Sequence, residues 1–255
     1  MSMADKIGSF QPTNDFWNAL GWQPLPEQLE EFKLLQALLE DCNKHVNLTR
    51  LVSGHDFWVN QIFDSLWPLQ KLLNQPRTLK CIDVGTGGGF PGLAVAIALP
   101  NISMTLVDSI GRKTKAVTSI VKDLGISHRV SLRTERIEKT GQNHNYRSRF
   151  DLAMARAVAI TPTVAEYLLP LLSRSGEALL YRGQCSDVNT HELNLALQLL
   201  GGRIRRLDHC KLLGNRGVRH AITIGQYIPC PDIYPRLTGL PTKEPLGSVN
   251  DRSEV

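Results

Sequence analysis

Glycine occupies every second position in one short stretch that follows a single acidic residue. The stretch reads Asp83-Val-Gly85-Thr-Gly87-Gly-Gly89-Phe90-Pro-Gly. An apolar pair precedes it, and a helical pattern and a second apolar run follow, which predicts strand, tight turn, helix and strand. Turns of this kind let the backbone approach a nucleotide closely. A dinucleotide fingerprint, Gly-x-Gly-x-x-Gly, would need glycine where Phe90 stands, so the pattern disfavours a dinucleotide.

The alternating glycines are instead typical of the S-adenosylmethionine (SAM) methyltransferase fold. SAM has no pyrophosphate, so the loop has to hold an amino-acid tail and a ribose, and we expect the Asp83 carboxylate near the ammonium group or its ordered water. Asp108 ends the next apolar run, where a carboxylate can accept hydrogen bonds from both ribose hydroxyls. A glycine-rich turn without a ligand is the alternative, and the agreement of four elements in order and spacing disfavours it.

Further cofactor contacts are expected from residues that follow the predicted strands. Phe90 either packs beside the cofactor or fills the core, and Ile137-Glu138 follows strand three, where SAM enzymes meet the adenine. Glu138 is a solvated surface residue in the alternative interpretation. The candidate cofactor-binding residues are Asp83, Gly85, Gly87, Gly89, Phe90, Asp108, Ser109, Ile110, Ile137, Glu138 and Arg156.

The composition limits the classes of protein that remain. With 255 residues, 42% of them hydrophobic, the chain can form one large α/β domain with appendages or two small domains. No apolar run approaches the roughly 18–20 residues of a membrane span, and no signal-peptide pattern begins the chain. The five cysteines are scattered without a Cys-x-x-Cys pair, and the histidines show no metal-ligand spacing, so we expect a cytoplasmic protein without disulfides or metal. The net charge of +5 weakly favours an acidic partner.

The predicted elements alternate between strand and helix up to Leu200, and two adjacent strands follow. This order predicts an α/β fold, a doubly wound and mostly parallel seven-stranded sheet closed by a β-hairpin, as in SAM methyltransferases. We expect an N-terminal arm and helical cap at 1–76, a SAM-dependent methyltransferase domain at 77–228 and a C-terminal tail at 229–255.

Three smaller expectations concern segments around this sheet. Residues 1–24 show no periodicity and are predicted to be a loosely attached arm. Helices are predicted from Pro26 and over about residues 55–73, where apolar residues recur at helical spacing. Residues 139–149 are predicted to be a polar loop.

Several further segments resemble one known family. Besides the glycine run and Leu106-Val-Asp-Ser109, they are Val46-Asn-Leu-Thr49, Phe63-Asp-Ser-Leu66, Arg136-Ile-Glu138, Ala155-Arg-Ala157 and Tyr234-Pro-Arg236…Gly239-Leu-Pro241. In these motifs the chain, from about residue 26 to 246, resembles the bacterial ribosomal RNA small subunit methyltransferase G family, also called glucose-inhibited division protein B. The resemblance implies SAM-dependent methylation of guanine N7 in 16S ribosomal RNA, near the decoding region. The implied partner is that RNA or the small ribosomal subunit particle, and we expect a monomer without membrane contact.

Two positions depart from the usual pattern of that family. Gln61 stands where the family usually has His, and Arg182 stands where the family usually has Lys before a glycine. Arg keeps the charge but is planar and multidentate, whereas Lys is a point charge. Both departures concern the RNA contacts and leave the SAM motifs unchanged.

The residues after strand four bear on the reaction type. An Asp/Asn-Pro-Pro-Tyr/Phe motif, typical of enzymes that methylate exocyclic amines, is replaced by Ala155-Arg156-Ala157-Val158. Methylation of pyrimidine C5 needs a cysteine nucleophile, and Cys230 superficially offers one, but it follows the last strand and is interpreted as part of a tail turn. Guanine N7 carries a free lone pair and needs no general base. Arg156 stands at the carboxyl end of strand four, where ligands bind in such sheets, and is the candidate catalytic residue, contacting O6, a phosphate or the SAM carboxylate. The alternative is a surface Arg paired with Glu138 or Asp151.

Basic residues supply the candidate RNA-binding set. Contacts from such residues to phosphates are the usual basis of nucleic-acid affinity. A solvated hairpin edge is the alternative for those near the chain's last strands. The candidates are Arg112, Lys113, Arg182, Arg203, Arg205, Arg206 and Arg219.

Two other functions stay open at this point. One is a small-molecule methyltransferase, and the other is a non-catalytic RNA-binding or assembly factor on the same fold.

Overall fold

A seven-stranded sheet in the order β3-β2-β1-β4-β5-β7-β6 forms the centre of the computed structural model, which describes residues 12–183 and 187–248. All neighbouring strands are parallel except at β7, which is antiparallel to both β5 and β6. The strands are β1 (Lys80–Val84), β2 (Ser103–Asp108), β3 (Val130–Thr134), β4 (Phe150–Arg156), β5 (Leu172–Arg182), β6 (Gly202–Lys211) and β7 (Val218–Gln226). The predicted doubly wound α/β sheet with a closing hairpin is confirmed.

The central strands are buried on both faces, which explains why their sequences are nearly continuous apolar runs. In β1 the side chain of Cys81 belongs to one hydrophobic cluster and that of Ile82 to the other, and both are fully buried. Successive side chains of a strand point to opposite faces, so each strand contributes to both layers of core.

Helices cover both faces of the sheet. Those on one face are α1 (Asn14–Leu20), α2 (Pro26–Asn43), α3 (Gly54–Phe57), α4 (Asp64–Leu66), α5 (Gln70–Asn74), α6 (Gly92–Ala98) and α7 (Gly111–Asp123). Those on the other are α8 (Ile137–Gln142), α9 (Thr161–Leu168) and α10 (Asp187–Leu200), and the short α11 (Leu240–Lys243) packs on α9. A π-helical turn, Trp58–Phe63, joins α3 to α4.

The prediction of a loosely attached N-terminal arm is wrong for residues 14–20. They form α1, whose side chains Phe16, Trp17 and Leu20 are buried. The ring centroid of Trp17 lies 6.4 Å from that of Phe32 and 6.2 Å from that of Trp58. A helix of seven residues is too short to show periodicity, but three large apolar side chains supply enough buried area to hold it on the domain. Residues 1–11 lie outside the described part of the chain.

Two other predicted segments also differ. The helix expected over about 55–73 follows the expected path but is divided by the π-helical turn and by a 3₁₀ turn, Trp67–Leu69, which contains Pro68. Proline removes a backbone donor, so the regular hydrogen-bond pattern changes there. The polar loop expected at 139–149 begins as helix α8.

The C-terminal segment, residues 229–246, is held on the domain by polar contacts. Arg147 donates to the carbonyl oxygens of Cys230 (2.9 Å) and Pro231 (3.0 Å). Arg236 donates Nε and Nη2 to the carboxylate of Glu166, at 2.9 and 2.8 Å, and Glu166 is fully buried. A buried carboxylate requires such a partner, because an unpaired buried charge is costly.

Candidate active site

A cavity of about 760 Å³ opens at the carboxyl ends of β1, β2, β3 and β4. The strand order reverses between β1 and β4, and ligands of doubly wound sheets bind at such a point. The lining comprises Leu48, Thr49, Gln61, Val84, Gly85, Thr86, Gly87, Gly88, Phe90, Val107, Asp108, Ser109, Ile110, Lys113, Glu135, Arg136, Ile137, Arg156, Ala157, Val158, Ala159, Tyr167, Gly239, Thr242 and Lys243.

The glycine loop forms the floor of this cavity. The backbone N–H groups of Gly85 and Thr86 donate to the carbonyl oxygen of Val107 at 2.8 and 3.0 Å, which ties the loop to β2. Gly87 has φ +58°, and a Cβ there would face open space, with its nearest neighbour, Gly85 O, 3.9 Å away. At Gly85 a Cβ would instead meet the side chain of Val158 at 2.6 Å. Gly87 therefore presents bare backbone to a ligand, whereas the lack of a side chain at Gly85 lets Val158 pack closely against the loop.

Asp83 lies beneath the glycine loop and does not line the cavity. Its Oδ2 accepts hydrogen bonds from Thr86 Oγ1 (2.6 Å) and from the backbone N–H of Gly92 (2.9 Å). Burial raises the pKa of this carboxyl group from 3.8 to about 6. Its Oδ1 has no partner among the described residues. Asp83 thus fixes the loop and α6 from below, and its Oδ1 remains a buried acceptor without a partner.

Asp108 meets the cavity directly, at the end of β2. One carboxylate oxygen accepts from the backbone N–H of Gly87 (2.9 Å) and the other from that of Ile110 (2.9 Å). A carboxylate has about four acceptor sites, so each oxygen keeps a lone pair for a further donor. The neighbouring Ser109 and Ile110 also line the cavity. This arrangement fits a pair of ribose hydroxyls.

Of the two residues predicted after β3, only one lines the cavity. Ile137 contributes to its wall, but the carboxylate of Glu138 turns away and accepts from Arg136 Nη2 (3.0 Å) and from the backbone N–H of Gly239 (2.9 Å). Burial raises the pKa of Glu138, but these hydrogen bonds outweigh it and leave the pKa below its ordinary value. Glu138 therefore fastens the C-terminal segment to α8.

The C-terminal segment brings residues to the cavity that the sequence interpretation did not include. Gly239, Thr242 and Lys243 line its wall next to Ile137. The hydroxyl of Tyr167, on α9, lies 3.1 Å from that of Thr242. The Tyr234-Pro-Arg236…Gly239-Leu-Pro241 motif was the available signal, because Arg236 and Gly239 make the contacts that hold this wall.

Arg156 ends β4 and extends across the cavity wall toward the N-terminal helices. Its Nη1 donates to the carbonyl oxygen of Asn60 (2.9 Å) and to Oδ2 of Asp64 (3.1 Å), and its Nη2 donates to Oε1 of Gln61. The alternative pairing with Glu138 or Asp151 is wrong. Sequence reasoning missed these partners because Asn60, Gln61 and Asp64 are more than 90 positions away in the chain.

Phe90 belongs to the hydrophobic core and also lines the cavity. The residue is buried and lines the cavity, and its ring centroid lies 6.1 Å from that of Phe57. The guanidinium carbon of Arg156 is 5.9 Å from the centroid of the Phe90 ring. Stacking of this kind limits the directions in which Arg156 can move.

The candidate RNA-binding residues fall into two groups. The first group lies near the cavity and includes Arg112 and Lys113, at the start of α7. It also includes Arg182, whose Nη1 donates to the carbonyl oxygen of the cavity residue Ala159 at 2.8 Å. The fourth member is Arg219, whose Nε lies 3.7 Å from Asp64. The second group lies on the edge strand β6 and consists of Arg203, Arg205 and Arg206. Its neighbours on β7 are the residues around Ile224, and these lie beside the part of β5 where its pairing with β4 begins.

Ion pairs also engage part of the second group. Arg205 pairs with Glu177 at 3.1 Å, and Arg206 pairs with Asp208. The structure does not bring this group together with the cavity, because the cavity opens at the opposite ends of the parallel strands.

Cys230 is poorly suited to nucleophilic chemistry. It is buried in the C-terminal segment, and burial raises the pKa of its thiol to about 12. The thiolate is the nucleophilic form, and because the pKa of Cys230 is raised, little thiolate exists at neutral pH.

Within residues 12–183 and 187–248, no group of histidine, cysteine and acidic side chains could hold a metal ion. No helix in that part of the chain is long and apolar enough to cross a membrane.

Comparison with known proteins places this chain in a family. The family described as GidB, rRNA small subunit methyltransferase G, matches residues 28–218. A relative from Parasynechococcus marenigrum, named ribosomal RNA small subunit methyltransferase G, is 56% identical over 92% of this chain and 96% of its own. One of the same name from Prochlorococcus marinus strain MIT 9303 is 54% identical over 96% and 100%.

A solved O-methyltransferase from Bacillus cereus, in complex with SAH, is similar in fold, with a TM-score of 0.53 and 16% identity over 75% of this chain and 90% of that one. At that level of identity the likeness concerns the fold alone. The sequence relatives, in contrast, match nearly the whole length of this chain. The chain therefore belongs to the ribosomal RNA small subunit methyltransferase G family.

Proposed function

We propose that this chain transfers the methyl group of SAM to N7 of a guanine in 16S ribosomal RNA. The observation that carries the proposal is the cavity at the β1–β4 reversal, where Asp108 and the bare backbone of Gly87 lie on one side and Arg156 on the other. Membership of the family supports the RNA substrate.

The residues of the cavity fit the cofactor. Asp108 offers acceptors for two hydroxyls, Gly87 leaves space above the loop, and Asp83 has one unpartnered oxygen beneath it. When bound, SAM supplies a methyl group on a positively charged sulfur, which is open to direct attack. We propose that Ile110 and Ile137 hold the apolar faces of the adenine, since both line the cavity beside Asp108.

The lining also suits a target that needs no deprotonation. Among the described residues that line the cavity there is neither histidine nor cysteine. Asp83, with a pKa of about 6, is fully buried under the loop and cannot reach a substrate. Guanine N7 has a free lone pair on the major-groove edge and loses no proton on methylation. Alignment can then supply most of the catalysis, and well-oriented groups gain roughly 7–11 kcal/mol in favourable cases.

Arg156 is the residue best placed to align the base. Its guanidinium is held by three acceptors and stacked on Phe90, so its position is fixed before substrate arrives. A bidentate Arg contact to O6 and N7 would block the attacking lone pair, so we propose a contact to O6 or to a phosphate. Such preorganised donors cost no reorganisation when charge develops.

We propose that the RNA approaches the cavity from the side of Arg112, Lys113, Arg182 and Arg219. These residues lie near the opening, whereas Arg203, Arg205 and Arg206 lie toward the other end of the sheet. The substrate is naked 16S RNA or the small ribosomal subunit particle. We further propose that the protein acts as a monomer in the cytoplasm.

Mapping of N7-methylguanine tests the function. Naked 16S RNA and small subunits that lack the modification are each incubated with the protein and SAM, and modified positions are located by cleavage at N7-methylguanine. We expect one guanine to become modified in at least one of the two substrates. Modification at an exocyclic amine or a pyrimidine carbon, or transfer only to small molecules, would contradict the proposal.

A further inference from the structure

A buried amide connects Arg156 to a neighbouring loop that also lines the cavity. Gln61 is 3% exposed, its Oε1 accepts from Nη2 of Arg156, and its Nε2 donates to Oγ1 of Thr49 at 3.1 Å. Arg can only donate, so the amide oxygen must face Arg156 and the amide nitrogen must face Thr49. Gln61 thereby joins two parts of the cavity wall, one through its oxygen and the other through its nitrogen.

The loop that Gln61 reaches rests on the glycine loop. Leu48 and Thr49 both line the cavity. A Cβ at Gly88 would lie 3.4 Å from Cβ of Leu48, so the two loops are in van der Waals contact. Asn43 fixes the near end of this loop, because its Oδ1 accepts from the backbone N–H groups of Leu48 (2.8 Å) and Thr49 (3.1 Å). Thr49 is consequently a rigid anchor for the amide of Gln61.

Asp64 completes the support of the guanidinium. Its Oδ2 accepts from Nη1 of Arg156 at 3.1 Å, while its Oδ1 is 3.7 Å from Nε of Arg219. The acceptors from Asn60 and Gln61 lie on the π-helical turn and Asp64 follows it, and π turns inside helices occur frequently at functional sites. Arg156 is thus held from one side by a single helical segment.

We propose that Gln61 is a positioning residue: it couples Arg156 to Thr49 and so sets the direction of the guanidinium over the target base. This inference rests on the proposed function of Arg156 in methyl transfer. It assigns to Gln61 an effect on the rate of the reaction that is separate from its contribution to folding. The amide of Gln61 does not ionise, so this effect does not depend on pH.

Histidine at this position provides a reversible test. A neutral imidazole also has one acceptor and one donor nitrogen and can replace both ends of the amide, whereas a protonated imidazole has two donors and would face a guanidinium. The variant Gln61→His should therefore support Arg156 above the imidazole pKa and fail to support it below that pKa. Gln61→Leu should make neither hydrogen bond at any pH.

Other charged and titratable groups near this position are common to the wild type and its variants. They are Arg156, Asp64 and Arg219, the buried Tyr181, whose hydroxyl donates to the carbonyl of Ser65, and Asp83 under the glycine loop. Because Asp83 has a pKa of about 6, rates are compared as the ratio of variant to wild type at each pH.

The first measurement does not depend on activity. The pKa of the introduced imidazole is followed by NMR in Gln61→His and in Gln61→His with Arg156→Ala. An adjacent cation lowers the pKa of an imidazole, so removal of Arg156 should raise it by about one unit or more. Equal values in the two proteins would overturn the proposal. If the wild type makes no N7-methylguanine, the proposed function fails, and this titration still decides whether the coupling exists.

The second measurement is the single-turnover rate of RNA methylation from pH 5.5 to 8.5. The ratio of the Gln61→His rate to the wild-type rate should be constant above the imidazole pKa and fall about tenfold or more below it, with one inflection, because a single group titrates. The affinity for SAM should stay unchanged within about twofold. Gln28→Leu is the matched control, because Gln28 is also buried and bridges to the carbonyls of Ile97 and Ala98, away from the cavity. A flat ratio, or a Gln61→Leu variant with the wild-type rate, would overturn the positioning role.

Discussion

Two aspartates at neighbouring strand ends have different environments and hence different tasks. Asp108 ends its strand at the cavity and is hydrogen-bonded by two backbone N–H groups of the loops around it. Asp83 is enclosed by the glycine loop and α6, and burial raises its pKa. In the sequence both residues are aspartates that follow apolar runs. Only the packing around each carboxylate shows that Asp108 faces the cavity and that Asp83 supports the loop from inside.

Replacement of Asp108 by Ala should weaken SAM binding at least tenfold. Hydrogen bonds to a charged group contribute about 1.5–3 kcal/mol each, and the variant also lacks the carboxylate that holds the N–H groups of Gly87 and Ile110. Calorimetric titration measures the affinity. Asp151→Ala is the control, because Asp151 accepts from the backbone N–H of Lys80 and from Ser173 at the other end of the sheet. An unchanged affinity in Asp108→Ala would remove Asp108 from the cofactor site.

The stability contribution of Asp83 should decrease as the pH rises from about 4 to about 6. Its folded-state pKa is raised from 3.8 to about 6, so between these values the folded protein keeps a proton that the unfolded chain has released. The contribution is present below pH 4 and lost above pH 6, and about two units correspond to roughly 3 kcal/mol. Urea unfolding of the wild type and Asp83→Asn between pH 4.5 and 7 measures the difference. A pH-independent difference would contradict the raised pKa.

At the scale of elements, the glycine loop was the segment that could be predicted most completely. The spacing of its glycines, the strand before it and the helix after it all follow from local sequence, because backbone freedom and hydrophobic pattern are local properties. The π-helical turn at Trp58–Phe63 and the direction of Glu138 could not be predicted in this way. Both depend on partners far along the chain, Arg156 for the turn and Gly239 for the carboxylate.

Gly87→Ala should bind SAM much more weakly while remaining folded. The left-handed conformation at φ +58° costs a non-glycine residue about 1–2 kcal/mol, and the added methyl group would occupy the space above the loop. Gly125→Ala is the matched control, since Gly125 has φ +72° and no atom within 4 Å of the added Cβ. Both variants should be destabilised to a similar degree in thermal unfolding, and only Gly87→Ala should bind SAM more weakly in titration. Equal SAM affinity in the two variants would show that Gly87 does not face the cofactor.

The two groups of basic residues should differ in their effect on RNA binding. Replacing Arg112 and Lys113 by Ala should reduce the slope of log affinity against log salt concentration by roughly 0.7–0.9 for each phosphate that is no longer neutralised. Replacing Arg203, Arg205 and Arg206 by Ala, one more charge than in the first variant, should leave the slope nearly unchanged, because these residues lie toward the other end of the sheet. Filter binding to 16S RNA over a range of salt concentrations measures both. A flatter slope only in the second variant would place the RNA along β6.

At the scale of the molecule, the order of strands and helices was predictable, but the packing of the two terminal segments was not. Alternation of apolar runs with helical patterns defines a doubly wound sheet, and the resemblance in the glycine run and the Asp-Ser-Leu segment reinforces it. The predicted boundaries treated residues 14–20 and the segment after β7 as appendages. Both pack on the domain through contacts between distant residues, such as Trp17 with Phe32 and Arg236 with Glu166, which no local pattern reveals.

The wall formed by Gly239, Thr242 and Lys243 has a consequence for the order in which the protein becomes competent during its synthesis. The ribosome releases the chain from its N-terminus, so all seven strands, the glycine loop and Arg156 emerge before this wall does. A nascent chain that has folded its sheet still has a cavity open beside Ile137, and Glu138 still lacks the backbone donor of Gly239. A cofactor that reached the cavity before this segment docked would lack the contacts of that wall.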